Sequence, residues 1–535
     1  MANVGAGSGS ARVIAGVVAG SLPPLAADCR GTGVSMPTKR DVLGELRFGA
    51  HVAEDEQAAL VNYFVETDLT KQIFNGDIDV VFGPKGSGKS AIHLLLVHKG
   101  NELLARGVII KPAENLRGAP AFKDVAGDPP ASEHEFSFLW KAYFLSLVGD
   151  VLRENGSENP KKRQVLDALQ EAGLAEVSDL RGRVLAVIRY AKRLFERGSV
   201  EGGLKFDPLS GIPSGVTGKI SLNEPSPEQA RSGVKSADNL LKLADEALGE
   251  SGKNVWILLD RLDVAFAESA LLEENALRAL LHVYLDMRVL EHITPKVFLR
   301  DDIWQRVTAK GFRESSHITR QITISWTPRT LTHLVLSRAL DVPKLREYYN
   351  VAKKDILDDS SKQNELFWRI FPPKVAQGEK RPDTLTWLLS RTQDGTRRPA
   401  PRELIQLLNE ARNEQTKMLD LGDEEPPGDN LLSHGAIDAA LPTISKARLH
   451  QTLFAEYPEV KAKVEALKQG KTSQTTKSLE TAWSVSAADA QFAANHLTQI
   501  GFFEKRGTRD EPQYWIPFIY RSALELVQGT ASDSE

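Results

Sequence analysis

Gly83-Pro84-Lys85-Gly86-Ser87-Gly88-Lys89-Ser90 fits the pattern G-x-x-x-x-G-K-[ST]. The short apolar run Asp79-Val80-Val81-Phe82 precedes it, and a helical run over residues 91–98 follows. Strand, glycine-rich loop and helix form the context in which this pattern cradles phosphate. Glycines let successive backbone N–H groups turn inward on phosphate oxygens. The helix N-terminus adds positive potential at the same place. Lys89 is then expected at the β- and γ-phosphates, and the Ser90 hydroxyl on Mg2+. The cradle comprises Gly83, Pro84, Lys85, Gly86, Ser87, Gly88, Lys89, Ser90 and Ala91, with ATP and Mg2+ as the expected bound species. A ligand-free Gly-rich turn is the weaker reading.

Further along, Val255-Trp256-Ile257-Leu258-Leu259 is a continuous apolar run ending at Asp260. That is the signature of a buried parallel strand, and Asp260 is read as the carboxylate that holds Mg2+ from the far side. The next residue is Arg261, so Asp263 is the nearest candidate for polarising the attacking water. Its competing role is a helix cap, and Glu268 is a distant reserve. Arg300-Asp301-Asp302 follows the strand Lys296-Val297-Phe298-Leu299. Arg300 is read as sensing the γ-phosphate, with a surface ion pair as the alternative. Pro401-Arg402-Glu403-Leu404 opens a helix from which Arg402 can reach the phosphates, the alternative being a solvated Arg. Arg313 and Arg320 sit where an arginine finger acting across subunits would lie.

Helices separate the strands at 79–82, 107–111, 255–259, 296–299 and 321–326, which predicts an α/β core with a parallel sheet. Residues 55–70 read as one amphipathic helix with Leu60 and Phe64 on its apolar face. Residues 202–222 are rich in Gly, Ser and Pro and suggest a hairpin. The expected organisation is a flexible tail over 1–43, a P-loop core over 44–328 with a helical insert at about 112–252, a helical lid over 329–428 and a terminal module over 429–535. Residues 420–429 read as an acidic linker. The tail's mildly apolar run at 13–27 is broken by Gly and Pro and does not read as a signal peptide. Ordinary globular composition begins near Met36, which is an alternative translation start.

With these pieces in place the chain resembles a bacterial P-loop ATPase family related to the STAND, KAP and AAA+ ATPases. The resemblance rests on Phe48-Gly49, Ala53-Glu54 and Tyr63-Phe64-Val65, then Gly86 to Ala91, Leu258 to Asp263, Val297 to Asp302, and Trp326. It implies an ATP-binding core, a helical lid and a C-terminal module, and a setting in antiviral or mobile-element neighbourhoods. The chain departs from that pattern at Arg261, where a second acid is common. It also places Asp260 170 positions after Ser90, more than a single crossover needs.

The terminal module reads helix, helix, β-ribbon, a winged-helix pattern. Phe492 and Leu497 are expected on the inner face of its second helix, and strands are expected at 501–505 and 513–517. Residues 471–535 hold six basic and eight acidic residues, a net charge of -2. DNA binders usually carry a basic face, so protein docking is favoured over DNA contact through Lys505, Arg506 and Arg509. The whole chain of 535 residues has a formal net charge of -4 and one cysteine, Cys29. That excludes an internal disulfide framework and fits a reducing, cytoplasmic setting. No apolar run suggests a membrane span.

The function read from the sequence is an ATP-hydrolysing switch or motor in phage defence or DNA transactions, with self-association or a partner protein. The alternative is a nucleotide-bound regulatory scaffold with little hydrolysis. A GTPase is disfavoured because no [NT]-K-x-D motif follows the loop, and a small-molecule kinase would not need the terminal module.

Overall fold

The computed structural model describes residues 36–50, 56, 60–65, 67–113, 132–155, 158–175, 182–190, 220–221, 235–262, 270–309, 311–376, 378–508 and 511–531. Five strands form one parallel sheet: β1 (Val80–Gly83), β2 (Val108–Pro112), β3 (Asn254–Leu259), β4 (Ile293–Arg300) and β5 (Gln321–Thr323). Their order across the sheet is β2-β3-β4-β1-β5. β4 lies between β1 and β3, in register Val80↔Val297 on one side and Val255↔Ile293 on the other.

Side chains of a strand alternate between faces, and here both faces are covered. Val80, Phe82, Val255, Ile257, Leu259, Val297 and Leu299 enter one core. Val81, Trp256, Leu258 and Phe298 enter another, together with Ile92 and Leu96 of the helix Lys89–His98. Burial on both sides is why these strands read as unbroken apolar runs. The first core is closed by the helices Glu133–Asn155, Ala237–Glu250 and Ala270–Met287. Trp140 Nε1 donates to the Ala276 carbonyl at 2.8 Å, tying two of these helices together. The long interval between the phosphate loop and Asp260 therefore supplies a layer of the sheet itself.

Beyond Thr327, which caps the helix Pro328–Ala339, the chain is mostly helical until residue 470. One apolar core runs from Val42 and Phe48 through Leu331, Trp387 and Leu408 to Tyr514 and Leu524. The helix Lys39–Glu45 belongs to it, with Val42 and Leu43 buried, so part of the segment expected to be a flexible tail is helical and packed. Lys39 Nζ donates to the carbonyls of Pro426 (2.5 Å) and Gly428 (2.7 Å), pinning the acidic segment.

The terminal module adds β6 (Lys471–Thr475), β7 (Glu504–Gly507), β8 (Pro512–Trp515) and β9 (Val527–Thr530) in the order β9-β6-β8-β7. The helices Thr476–Trp483 and Ala487–Gln499 connect β6 to β7. The sequence reading missed β6 and β9. β6 is polar in sequence, and β9 pairs with it in parallel only after a long excursion.

Two local expectations are corrected. Residues 55–70 do not form one helix: Leu60–Tyr63 and Asp68–Asn75 are separate. Thr67 is extended and accepts the Thr70 N–H in a capping box, which restarts the helix. Phe492 points outward and is 79% exposed. The helix Ala487–Gln499 instead buries Ala490, Ala493, Ala494 and Leu497, the i, i+3, i+4, i+7 face. In the expected hairpin at 202–222, the described pair Ile220–Ser221 runs parallel to Lys235–Ser236. The remainder of that hairpin lies outside the described residues.

Candidate functional site

The C-terminal ends of parallel strands are where open α/β sheets bind ligands. A cavity of about 620 Å3 lies there, lined by Lys85, Gly86, Ser87, Gly88, Lys89, Ser90 and Ala91. Asp260 and Arg261 line it from the end of β3, Arg300 from the end of β4, and Arg402 from the helix Pro401–Asp420. Pro84 faces a second, adjoining cavity of about 210 Å3. Gly83 packs inside the loop, where an added Cβ would lie 2.5 Å from Ser87 Oγ.

The loop has the backbone its sequence calls for. Gly86 and Gly88 have φ of +78° and +101°, a region open to glycine at no steric cost. Gly88 is the N-cap of the helix Lys89–His98. Lys89 Nζ donates to the carbonyls of Gly83 (2.8 Å) and Pro84 (3.0 Å), folding back onto its own loop. The Ser87 hydroxyl is buried and makes no hydrogen bond. A buried orphan polar group is uncommon, and a phosphate oxygen would satisfy it. Ser90 and Asp260, the latter 4% exposed, supply oxygen donors to one cavity, as Mg2+ prefers. These residues fit a nucleoside triphosphate with Mg2+.

The cavity is also lined by the apolar side chains Phe64, Val65, Leu69, Trp326, Leu334 and Ile405. Trp326 Nε1 donates to the Ser87 carbonyl at 2.8 Å, joining this apolar wall to the glycine-rich loop. A buried pair braces it: Arg338 donates to Glu56 Oε2 at 3.0 Å and to the Phe48 carbonyl at 2.7 Å. Neither Glu56 nor Arg338 stood out in the sequence.

Arg261 has φ +53°, a left-handed backbone uncommon outside glycine. It turns the chain sharply after Asp260. Asp263 and Glu268 lie outside the described residues. Arg402 lies against the loop, so that a Cβ on Gly86 would come within 2.9 Å of Arg402 Cβ. Asp301 is ion-paired with Arg398. Arg300 donates to both oxygens of Asp302 (3.0 and 2.8 Å) and to Glu456 Oε2 (2.8 Å). Tyr457 donates to Asp302 Oδ2 at 3.0 Å. Burial works against the charge on Asp302, but Arg300 and Tyr457 hold its carboxyl below the usual range. Lys85 also pairs with Glu456. No local signal in the sequence marks Glu456 or Tyr457.

Arg320 is not near this cavity. It pairs with Asp79 (Nε–Oδ2 2.8 Å) at the opposite end of the sheet, because it immediately precedes β5 and therefore lies beside the start of β1. Arg313 is exposed on a short 3-10 turn. On the terminal module, Arg506 stacks over Trp515 at 3.9 Å and pairs with Glu504. Lys505 reaches Asn495 at 3.5 Å, and Arg509 lies outside the described residues. Among the described residues no cluster of three or more His, Cys, Asp or Glu could hold a metal, and no helix is long and apolar enough to cross a membrane.

No family model matches this chain. No curated protein matches it. Among solved structures it is similar to the Aeropyrum pernix ORC2 protein, described as ADPNP-ADP complexes. The two are 13% identical with a TM-score of 0.34, over 91% of this chain and 96% of that one. So distant a likeness carries nothing about activity.

Proposed function

We propose that this chain is a Mg2+-dependent ATPase that works as a nucleotide-driven switch. The observation that carries the reading is the convergence of Lys89, Ser90, Asp260 and Arg402 on one cavity. The apolar wall of that cavity takes the base, and the glycine-rich loop takes the phosphates through its backbone N–H groups. Lys89 exchanges its loop carbonyls for phosphate oxygens and neutralises charge on them. Ser90 and Asp260 would hold Mg2+, which when bound draws charge from the phosphate oxygens. Asp263 orients and deprotonates the attacking water. Arg402 senses the nucleotide from the helical region, so occupancy is felt by the helices that share a core with the terminal module.

A second reading has a specific motive. Arg261 stands beside Asp260 where a second acid would strengthen water activation. On that reading the chain is a nucleotide-bound scaffold with little turnover, docking a partner protein.

The test is ATP turnover by the wild type, Lys89→Ala and Asp263→Asn, each with and without double- or single-stranded DNA. Lys89→Ala is expected to lower turnover by about 10²-fold or more, and Asp263→Asn by a similar factor. Tight nucleotide binding with turnover equally slow in all three proteins favours the scaffold. Absence of nucleotide binding in the wild type rejects both readings. Stimulation by DNA would support the proposed role in DNA transactions or phage defence; indifference to DNA favours a protein partner.

A further inference from the structure

The helix His434–Ala447 runs into a π-helical turn, Arg448–Leu453, and then into Phe454–Glu456. Such turns are rare and are found frequently at functional sites. Arg448 anchors this one. It donates to Glu403 at 2.6 Å, to Asp394 at 2.7 Å and to Tyr520 at 3.3 Å. Burial disfavours its charge, but Tyr520, Glu403 and Asp394 hold its pKa well above normal. Glu403 follows Arg402 on the helix that lies against Gly86. The turn is therefore fixed to the wall of the phosphate site, and Glu456 is held over that site.

Glu456 there bridges two cations, Lys85 of the loop and Arg300 of β4. Lys85 and Arg300 line the main cavity and also the smaller one on whose wall Glu456 lies. Glu456 and Asp302 balance these two cations. A terminal phosphate arriving beside Lys85 and Arg300 would add about two negative charges to a pair already neutralised. Like charges in a half-buried space repel, and Glu456 is the one carried by a distant segment, whereas Asp302 lies two residues from Arg300 in the chain. A diphosphate, bound through Lys89 and the loop N–H groups, leaves the Glu456 contacts in place.

We propose that Glu456 is a specificity-determining residue. It occupies the cations meant for the terminal phosphate, biases the site toward the diphosphate, and leaves them only when a triphosphate binds. The segment that carries it then separates from the loop. This rests on the nucleotide reading above.

The experiment measures equilibrium binding of ADP and ATPγS, both with Mg2+, to wild type, Glu456→Gln and Glu456→Asp. Hydrogen exchange of residues 448–457 in the wild type accompanies it. Glu456→Gln is expected to tighten ATPγS binding by about tenfold and to leave ADP within about twofold. Glu456→Asp, which keeps the charge, is expected to restore the wild-type ratio. Exchange over 448–457 is expected to rise with ATPγS but not with ADP. An unchanged ATPγS-to-ADP ratio in Glu456→Gln, with both nucleotides bound, overturns the proposal and spares the nucleotide reading. If Glu456→Gln does not fold, wild-type exchange decides: equal protection with both nucleotides overturns it. Failure of the wild type to bind either nucleotide rejects the nucleotide reading itself, and this inference with it.

Discussion

The same two strands, β1 and β4, carry a charged cluster at each end, and the two clusters are opposites. At the N-terminal end Asp79 accepts from Lys296 Nζ (2.8 Å), Tyr284 (3.2 Å) and Arg320 (2.8 Å). Lys296 is 1% exposed, also donates to the Ile78 carbonyl at 2.6 Å, and lies 4.4 Å over the Trp256 ring. Burial pushes the Lys296 pKa down although Asp79 pulls it up, and burial raises that of Tyr284. In this cluster the Asp79 carboxylate, 3% exposed, is met by all three donors. At the C-terminal end, where Gly83 is in register with Arg300, the charges line open space, one hydroxyl is orphaned, and the countercharges come from distant segments. Charged residues alone do not make a site. A site needs groups that the protein holds in place without fully satisfying them.

The largest effect that would break this contrast is expected at Lys296. Lys296→Met strips a partner from a buried carboxylate and is expected to cost about 3–5 kcal/mol, read as earlier thermal unfolding. Nucleotide affinity measured below that transition is expected to stay near wild type. Lys89→Ala is expected to do the reverse, losing nucleotide with little change in melting. A Lys296→Met protein that melts normally would mean the closed cluster is not a stability element.

A smaller effect is expected at Gly86. Alanine there must hold φ near +78°, at a cost of about 1–2 kcal/mol, and its Cβ would press on Arg402. Gly86→Ala is expected to weaken ATPγS binding about tenfold. Calorimetric titration checks it, and undiminished affinity would separate Arg402 from the loop.

The smallest effect concerns pH. The folded state holds the Asp302 proton less tightly than the unfolded chain does, because Arg300 and Tyr457 outweigh burial. The resulting stability is full above the unfolded pKa of about 3.9 and is lost as pH falls through the lower folded value. Asp302→Asn is therefore expected to melt earlier than wild type at pH 7, with the gap closing near pH 3. A gap that stays constant with pH would show that Asp302 does not act through its charge.

The glycine-rich loop between β1 and its helix was legible because its geometry is local. Eight consecutive residues specify a glycine backbone, a lysine and a hydroxyl, and the adjoining apolar runs specify strands buried on both faces. Asp260 was legible for the same reason, as a carboxylate ending such a run. Phe492 misled because its hydrophobicity suggested the core, whereas three alanines and Leu497 fit the available space. The break at Thr67 was written in a capping pair that the longer apolar periodicity overrode. The pairing of Arg320 with Asp79 was not legible, because a position after the third element says nothing about which end of the sheet the side chain will meet.

What the sequence determined by itself was the kind of core and the backbone of the glycine-rich loop, since both follow from backbone preference and burial over a few residues. Which charges close on each other and which stay open was decided by the tertiary structure alone. Asp79 meets Lys296 across 217 residues, and Arg300 meets Glu456 across 156. Coulombic pairing depends on distance in space and on the dielectric that burial creates, and neither is written in the spacing of residues along the chain.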